Sequence, residues 1–357
     1  MEHTEDRITM LHQIPSPAFL AEGGCITAVN PPARQHQLAE GTEVTALLLT
    51  GQEEYAHFQT GCLYLTLNIC GVPHSASVTP VSTGHLFVLE QSADQAELRS
   101  MALAARVLRG PLSSVMSTAD RLFPLSGDDT PELREQAARI NRNLYQMLRV
   151  ICNMSDAYRY STENTFRGEI RDICALVREQ LTLAEPLLLQ AGFPLRFSVP
   201  QETVYTLVDV EKLERALSNI LANAIKYAPL GSTVYVRLSR HGKTLHLCAY
   251  DDGPGVPTGL PSNLYTGYQR VPGLEDGRYG LGLGMVMIRA AAAAHGGTVL
   301  TERGQDFGMR LTMTIPIRQA TGSMVRTPMI HVDYAGERDH LLLELADCLP
   351  PELYQFD

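Results

Sequence analysis

The chain has 357 residues, of which 45% are hydrophobic and 19% are charged, and its formal net charge is −10. This length allows two or three domains with cores of their own. The negative charge argues against nucleic acid as a partner, because proteins that bind phosphate backbones usually carry a basic face. No apolar run approaches the roughly 18 residues that a membrane span needs, the acidic N-terminus does not resemble a secretory signal, and the seven cysteines are scattered singly, as in a reduced protein. We therefore expect a cytoplasmic protein without a membrane span.

Residues 10–91 are predicted to form a small α+β unit. Two strand-like runs, 18–21 and 25–29, meet across a Glu-Gly-Gly turn, and a mixed, mainly helical region follows over about residues 32–58. Breaks at 71–73 and 82–84 then separate three further strand-like runs, 62–70, 74–81 and 85–89. The order and length of these elements resemble a PAS sensor domain.

Residues 92–160 are predicted to form two long helices joined by a polar turn at 126–129. Apolar residues recur in steps of three and four in each helix, which is the seam of a coiled coil. The first seam consists of Leu98, Met101, Ala105, Leu108, Leu112, Val115, Ala119 and Leu122, and the second of Leu133, Ala137, Ile140, Leu144, Met147, Ile151 and Met154. An antiparallel hairpin cannot bury both edges of its seam alone, so we expect a four-helix homodimer. A plain dimerising stalk is the alternative interpretation of the same pattern.

From about residue 165 to residue 317 the pattern predicts a separate α/β sandwich. Its elements are a helix over 173–189, strands over 195–199, 233–238, 245–250 and 311–317, and further helices. The tail, residues 318–357, contains a strand-like run at Met329–Val332 and a helical run at Arg338–Cys348. We assign the tail no function from its sequence.

The first candidate site lies on a predicted helix of this sandwich. Asn219, Asn223 and Lys226 are spaced i, i+4 and i+7 and therefore share one face. Two carboxamide oxygens and an ammonium group on one stripe suit Mg²⁺ with its attached phosphates, because Mg²⁺ prefers oxygen ligands and keeps several waters. By itself, the stripe also fits a solvated helix face.

A second candidate begins with Asp251, which follows a predicted strand and precedes Gly253 and Gly255. A carboxylate fixed at a strand end can accept a hydrogen bond from an exocyclic amine. The glycines let the backbone approach a planar base. Taken alone, such a segment is more often a surface turn.

A third candidate is the glycine run at Gly280, Gly282 and Gly284, which leads directly into a helix over 285–294. Backbone N–H groups at a helix N-terminus, aided by the helix dipole, favour anionic oxygens. His295, which ends that helix before Gly296 and Gly297, is expected to be structural.

Together these segments resemble the N box, G1 box and G2 box of the ATPase superfamily that unites gyrase, MutL, the large chaperone ATPases and histidine kinases. The resemblance implies a Bergerat-type fold over residues 165–317 that binds ATP and Mg²⁺. It implies that Asn223 coordinates Mg²⁺, with Asn219 and Lys226 near the phosphates. Asp251 would receive the adenine amino group. The remaining implied pocket positions are Tyr227, Gly253, Gly255, Gly280, Gly282 and Gly284.

In this resemblance, Pro257–Tyr279 takes the place of the mobile ATP lid. Arg278 stands where the family often has a further glycine, and both a phosphate contact and crowding of the loop are open to it. The preceding hairpin selects sensor histidine kinases within the superfamily. The resemblance then covers about residues 97–317.

The hairpin departs from that family at its phosphoacceptor motif. His-Glu-Leu-Arg-Thr-Pro-Leu is replaced by Arg-Val-Leu-Arg-Gly-Pro-Leu at residues 106–112, and no histidine occurs between His85 and His241. Pro111, which costs about 3 kcal/mol in mid-helix, supports the alignment. Arg106 stays protonated and has no lone pair to attack a γ-phosphate, whereas a neutral imidazole has one. We therefore expect no autophosphorylation on a hairpin histidine.

The sequence therefore predicts a multi-domain α+β protein: PAS-like sensor (10–91), dimerisation hairpin (92–160), ATP-binding domain (165–317) and tail (318–357). It would bind Mg²⁺–ATP in two-component signalling as a pseudokinase or trans-acting partner, with a response regulator or partner kinase as possible partners. One alternative is a non-catalytic dimeric scaffold. Another is a serine/threonine kinase of the anti-sigma-factor type, against which the long hairpin counts.

Overall fold

The computed structural model describes residues 11–90, 92–123, 130–162, 166–253, 283–303, 308–318 and 338–356. The predicted hairpin turn, the lid and the strand-like run at 329–332 lie outside these residues. Within them, every helix is too short or too polar to cross a membrane.

The N-terminal unit is an antiparallel five-stranded sheet with three short helices. Its strands and helices are β1 Ala18–Glu22, β2 Cys25–Val29, α1 Pro31–Gln35, α2 Val44–Leu47, α3 Gln52–Ala56, β3 Cys62–Ile69, β4 Val72–Val81 and β5 Gly84–Leu89. The strand order is β2-β1-β5-β4-β3. The predicted break at 71–73 is shorter than expected, because β4 already begins at Val72. A separate core holds this unit together, with the rings of Phe19 and Phe87 stacked at 4.6 Å between their centroids.

The hairpin consists of α4 Ser92–Leu122 and α5 Pro131–Thr162. Pro111 lies inside α4 and the helix continues through it. Every seventh residue of the predicted seam of α4 is buried, namely Leu98, Ala105, Leu112 and Ala119. Of the alternate seam positions, Met101 is half-buried and Leu108, Val115 and Leu122 are exposed, so most of one edge of the seam is uncovered.

The ATPase-like domain is a layer of helices on a mixed sheet. Its elements are β6 Glu169–Asp172, α6 Ile173–Gln190, β7 Leu195–Ser198, β8 Tyr205–Val208, α7 Val210–Tyr227, β9 Val234–His241, β10 Thr244–Asp251, α8 Leu283–His295, β11 Val299–Arg303 and β12 Met309–Pro316. Its part of the main sheet has the order β11-β12-β10-β9-β7. The small antiparallel pair β6–β8 was not predicted, since each strand has only four residues.

The two sheets join edge to edge into one sheet of ten described strands. β3 pairs antiparallel with β11, with Leu63 opposite Leu300. Gly61 permits this approach, because it has φ 88° and a Cβ there would lie 2.1 Å from the Thr301 carbonyl oxygen. An ion pair of 2.7 Å between Arg289 of α8 and Glu90 reinforces the joint. The N-terminal unit is therefore docked on the ATPase-like domain through backbone hydrogen bonds.

The C-terminal segment, residues 338–356, packs on the hairpin and on α7. It contains α9 His340–Glu344, which is shorter than the predicted helix 338–348, and a 3₁₀ turn at Pro351–Leu353. The ring of Phe356 stacks on Phe123, directly after α4, at 4.6 Å between centroids. Tyr354 is buried and its hydroxyl donates to the Leu342 carbonyl at 2.7 Å. The segment is part of the main hydrophobic core.

Candidate nucleotide-binding site

The site is built around α7, whose start is fixed by an acidic cap. The Asp209 carboxylate accepts the Lys212 backbone N–H at 3.2 Å and the Lys212 ammonium at 2.9 Å. His295 supports this cap, because its Nε2 accepts the Asp209 N–H at 3.1 Å while its Nδ1 donates to the Ala291 carbonyl at 2.7 Å. Burial lowers the pKa of His295 and favours the neutral ring that this pair of hydrogen bonds requires. His295 thus has the structural role expected for it.

Asn219 and Asn223 of α7 face the first turn of α8. A Cβ built on Gly284 would lie 2.9 Å from Asn219 Oδ1 and 3.6 Å from Asn223 Oδ1, so a larger residue there would crowd both carboxamides. Asn219 is only 1% exposed, which contradicts the alternative of a solvated helix face at this position. Asn223 is half-buried and its Nδ2 contacts Met285 Sδ at 3.7 Å. The predicted stripe and the end of the glycine run therefore meet in space.

The carboxamide oxygen of Asn219 is unsatisfied among the described residues. Oδ1 is buried, and no described residue hydrogen-bonds to it. A buried amide oxygen without a hydrogen bond costs about 1–3 kcal/mol. A cation, its bound water or a donor beside Gly284 would satisfy this oxygen.

Lys226, the third residue of the stripe, lies at the other end of the same face. Its side chain is half-buried, and burial lowers the pKa of Lys226 while the nearby Asp347 carboxylate opposes that shift. Asp347 belongs to the C-terminal segment. Sequence reasoning did not place this segment beside the stripe.

Asp251 ends β10 and is 3% exposed. Its Oδ1 accepts the Gly253 N–H at 2.9 Å and its Oδ2 accepts the Met309 N–H at 3.2 Å. A Cβ on Gly253 would lie 2.6 Å from Pro229 Cδ, so the turn needs glycine. Each carboxylate oxygen keeps a further lone pair for an amine donor, and the fixed acceptor expected at this strand end is present.

Several predicted positions lie outside the described residues. These are Gly255, Gly280, Gly282, Arg278 and the lid 257–279, and the side chain of Tyr227 is likewise outside them. Arg106, the residue at the acceptor position, is described and lies exposed on α4. Its guanidinium faces solvent on the hairpin.

The residues present fit Mg²⁺–ATP. The two carboxamide oxygens suit a hard cation, and the lysine suits the phosphates bound to it. The unsatisfied Asn219 oxygen faces the start of α8, where backbone N–H groups favour the anionic oxygens that such a cation would carry. The small space above Gly284 would be filled by a Cβ. The described residues contain no group of three or more His, Cys, Asp or Glu side chains that could hold a metal by themselves.

Comparison with known proteins supports an ATPase domain in this part of the chain. Residues 208–319 match the histidine kinase-, DNA gyrase B- and HSP90-like ATPase family. The sensor protein KdpD of Escherichia coli (strain K12) is 28% identical over 233 residues, which are 64% of this chain and 26% of KdpD. The adaptive-response sensory kinase SasA of Synechococcus sp. (strain CC9902) is 24% identical over 230 residues, which are 64% of this chain and 58% of SasA.

Among solved structures, full-length ShkA in complex with AMPPNP is similar, with a TM-score of 0.50 and 21% identity. The likeness covers 63% of this chain and 47% of ShkA, and at this identity it concerns the fold alone. The chain thus spans about a quarter to three-fifths of the length of these relatives. Residues 208–319 thus belong to an ATPase domain of the sensor histidine kinase type.

Proposed function

We propose that this chain binds Mg²⁺–ATP as a signalling protein of the two-component type and does not phosphorylate its own hairpin. The observation that supports binding most strongly is the meeting of Asn219, Asn223 and Gly284, with a buried carboxamide oxygen lacking a partner among the described residues. Asn223 would hold Mg²⁺, and Asn219 and Lys226 would lie near the phosphates. Bound Mg²⁺ would neutralise phosphate charge. Asp251, fixed by two backbone N–H groups, would accept the adenine amine.

Chemistry at the acceptor position supports the second half of the proposal. Arg106 offers five N–H donors and no acceptor, and it stays protonated at any physiological pH. Val107 and Gly110 stand where the motif has its acidic residue and its Thr, so the neighbours that would assist a nucleophile are absent as well. Signalling would then be conformational, or the ATPase domain would phosphorylate a partner kinase chain. A response regulator is the further partner that fits this role.

The exposed edge of the hairpin supports a homodimer through residues 92–160. On α4 the uncovered seam residues Leu108, Val115 and Leu122 are 51%, 54% and 62% exposed, and on α5 Ile140 and Met147 are 44% and 54% exposed. They alternate with the buried seam residues at heptad spacing. A second copy of the hairpin would cover both edges in a four-helix bundle. The docked five-stranded unit would supply the sensor, as a PAS-like domain.

The binding proposal is tested by titrating the full chain with ATP in the presence and absence of Mg²⁺, using calorimetry. We expect binding that requires Mg²⁺ and that weakens about tenfold in Asp251→Asn, since the amide presents a donor in place of an acceptor. Asp252→Asn is the matched control, because Asp252 is exposed and, within the described part of the chain, its carboxylate accepts the Thr233 N–H at 2.7 Å. No binding by the wild type would refute the proposed function. Equal affinity of wild type and Asp251→Asn would refute the adenine assignment alone.

A further inference from the structure

The C-terminal segment delivers a carboxylate to the buried side of the nucleotide site. Glu344, at the end of α9, is 1% exposed and lies between α5 and α7. Its Oε1 accepts from Arg215 Nε at 3.1 Å and its Oε2 accepts from Asn219 Nδ2 at 3.4 Å. Through this hydrogen bond to Asn219, Glu344 connects the C-terminal segment directly to the predicted stripe.

This contact fixes how the Asn219 amide is turned. The Nδ2 group also donates to the Arg215 carbonyl at 2.9 Å, so the two amide hydrogens have two acceptors, one on each side. An ionised carboxylate only accepts hydrogen bonds, and it therefore favours the orientation in which Nδ2 points to Glu344. Oδ1 is then left facing Gly284, where the ligand is expected.

A network of buried charges holds Glu344 in place. Arg149 Nε of α5 lies 3.6 Å from Glu344 Oε2. Arg215 also pairs with Asp156 and donates to Asn153 Oδ1 at 2.9 Å. A buried carboxylate is tolerated when it is paired in this way. Beyond the network, Gln146 of α5 donates to the Ala346 carbonyl at 3.1 Å, which ties the backbone after α9 to the hairpin.

We propose that Glu344 is a positioning residue for nucleotide binding, which acts by holding the Asn219 carboxamide with its oxygen towards the ligand. This inference rests on the proposed function. It couples the site to the docking of the C-terminal segment, because Glu344 reaches Asn219 only while α9 lies between α5 and α7. The segment is then part of the binding machinery of this chain.

The test is a double-mutant cycle on the full chain, with the dissociation constant of Mg²⁺–ATP as the readout. Glu344→Ala is expected to weaken binding about fivefold, the effect of one hydrogen bond. In an Asn219→Ala background the same change is expected to have no effect, because its target is gone. A general loosening of the fold would weaken binding by the same factor in both backgrounds and would overturn the proposal. So would unchanged affinity in a folded Glu344→Ala single variant.

Folding of the variant is protected by the remaining partners, since Arg215 keeps Asp156 and Arg149 keeps Asp347. If Glu344→Ala nevertheless fails to fold, Glu344→Gln takes its place in the cycle. Its single acceptor oxygen serves two donors, so we expect a two- to threefold effect, roughly half that of alanine in free energy, and none without Asn219. Tyr354→Phe is the matched control, because it removes the hydrogen bond to Leu342 within the segment and leaves Asn219 untouched. Absence of Mg²⁺–ATP binding in the wild type would overturn the proposed function itself, a result distinct from an unchanged Glu344→Ala.

Discussion

The nucleotide-facing side of α7 and the outer face of α4 around Arg106 are constrained very differently. Asn219 is enclosed by Gly284, Glu344 and its own helix, so any change there disturbs several partners. Arg106, Val107 and Gly110 stand on an exposed helix surface, where a Cβ on Gly110 would meet no heavy atom within 4 Å. Side chains at these three positions of the motif can therefore change without disturbing packed neighbours. On the proposed function, phosphate transfer to the hairpin depends on the chemistry of the exposed residue 106 and not on the packing of the fold.

The largest expected effect concerns the outer face of the hairpin as an interface. Leu108→Glu places a charge on the uncovered seam of each copy, and burying an unpaired carboxylate costs several kcal/mol. We expect the dimer to weaken at least about 100-fold, measured by analytical ultracentrifugation. Val107→Glu is the control, since Val107 is 73% exposed and lies off the seam. A monomeric wild type would contradict the four-helix arrangement.

The next largest effect is expected on the nucleotide-facing side of α7. Gly284→Val would push a branched side chain against the Asn219 and Asn223 oxygens, and overpacking of this kind costs about 1–3 kcal/mol. We expect Mg²⁺–ATP binding to weaken about 10- to 100-fold, with the far-ultraviolet circular dichroism spectrum unchanged. Ala290→Val is the control, because Ala290 lies half-buried in the same helix as Gly284. Gly242→Val would not serve, because Gly242 has φ 58° and valine would strain the backbone there. A Gly284→Val variant that binds normally would mean that the ligand does not occupy this space.

A smaller effect is expected from restoring the acceptor. The wild type should incorporate no phosphate from labelled Mg²⁺–ATP, whereas Arg106→His should incorporate a sub-stoichiometric amount that is lost in acid, as expected of a phosphohistidine, because a neutral imidazole is a competent nucleophile. Arg106→Gln controls for loss of the positive charge. Acid-labile label in the wild type would show that another residue accepts phosphate, and acid-stable label would indicate a serine, threonine or tyrosine acceptor.

The smallest effect tests how tolerant the exposed face is. Gly110 lies in the middle of α4, and only its chain neighbours come near a Cβ built there. Gly110→Ala should change the free energy of unfolding by less than about 1 kcal/mol, because the higher helix propensity of alanine opposes the crowding of its Cβ against Pro111. Thermal unfolding followed by circular dichroism measures this. A loss of stability of more than about 2 kcal/mol would show that Gly110 is covered in the assembled protein, for instance by the partner hairpin.

Local patterns predicted the elements that local forces determine. The heptad seam predicted α4 and α5, including the passage of α4 through Pro111, because helix periodicity is set within a few residues. The i, i+4, i+7 spacing predicted the shared face of Asn219 and Asn223 for the same reason, and the structure places Gly284 beside them. The pocket roles of these residues, the PAS-like identity of the first unit and the homodimer stay predictions.

What the sequence alone determined was therefore the long helices, most strands and the shared face of Asn219 and Asn223. Only the tertiary structure decided that β3 pairs with β11, joining two sheets, and that Glu344 reaches Asn219 across 125 positions of chain. Pairing between two edge strands depends on backbone N–H and C=O groups that nearly every residue carries, so no side-chain pattern predicts it. A single glutamate in an apolar run has the same local signature whether it faces water or a pair of buried arginines. Such partners are chosen by the packing of distant elements, and the physical reason is that burial and charge pairing are properties of the assembled fold.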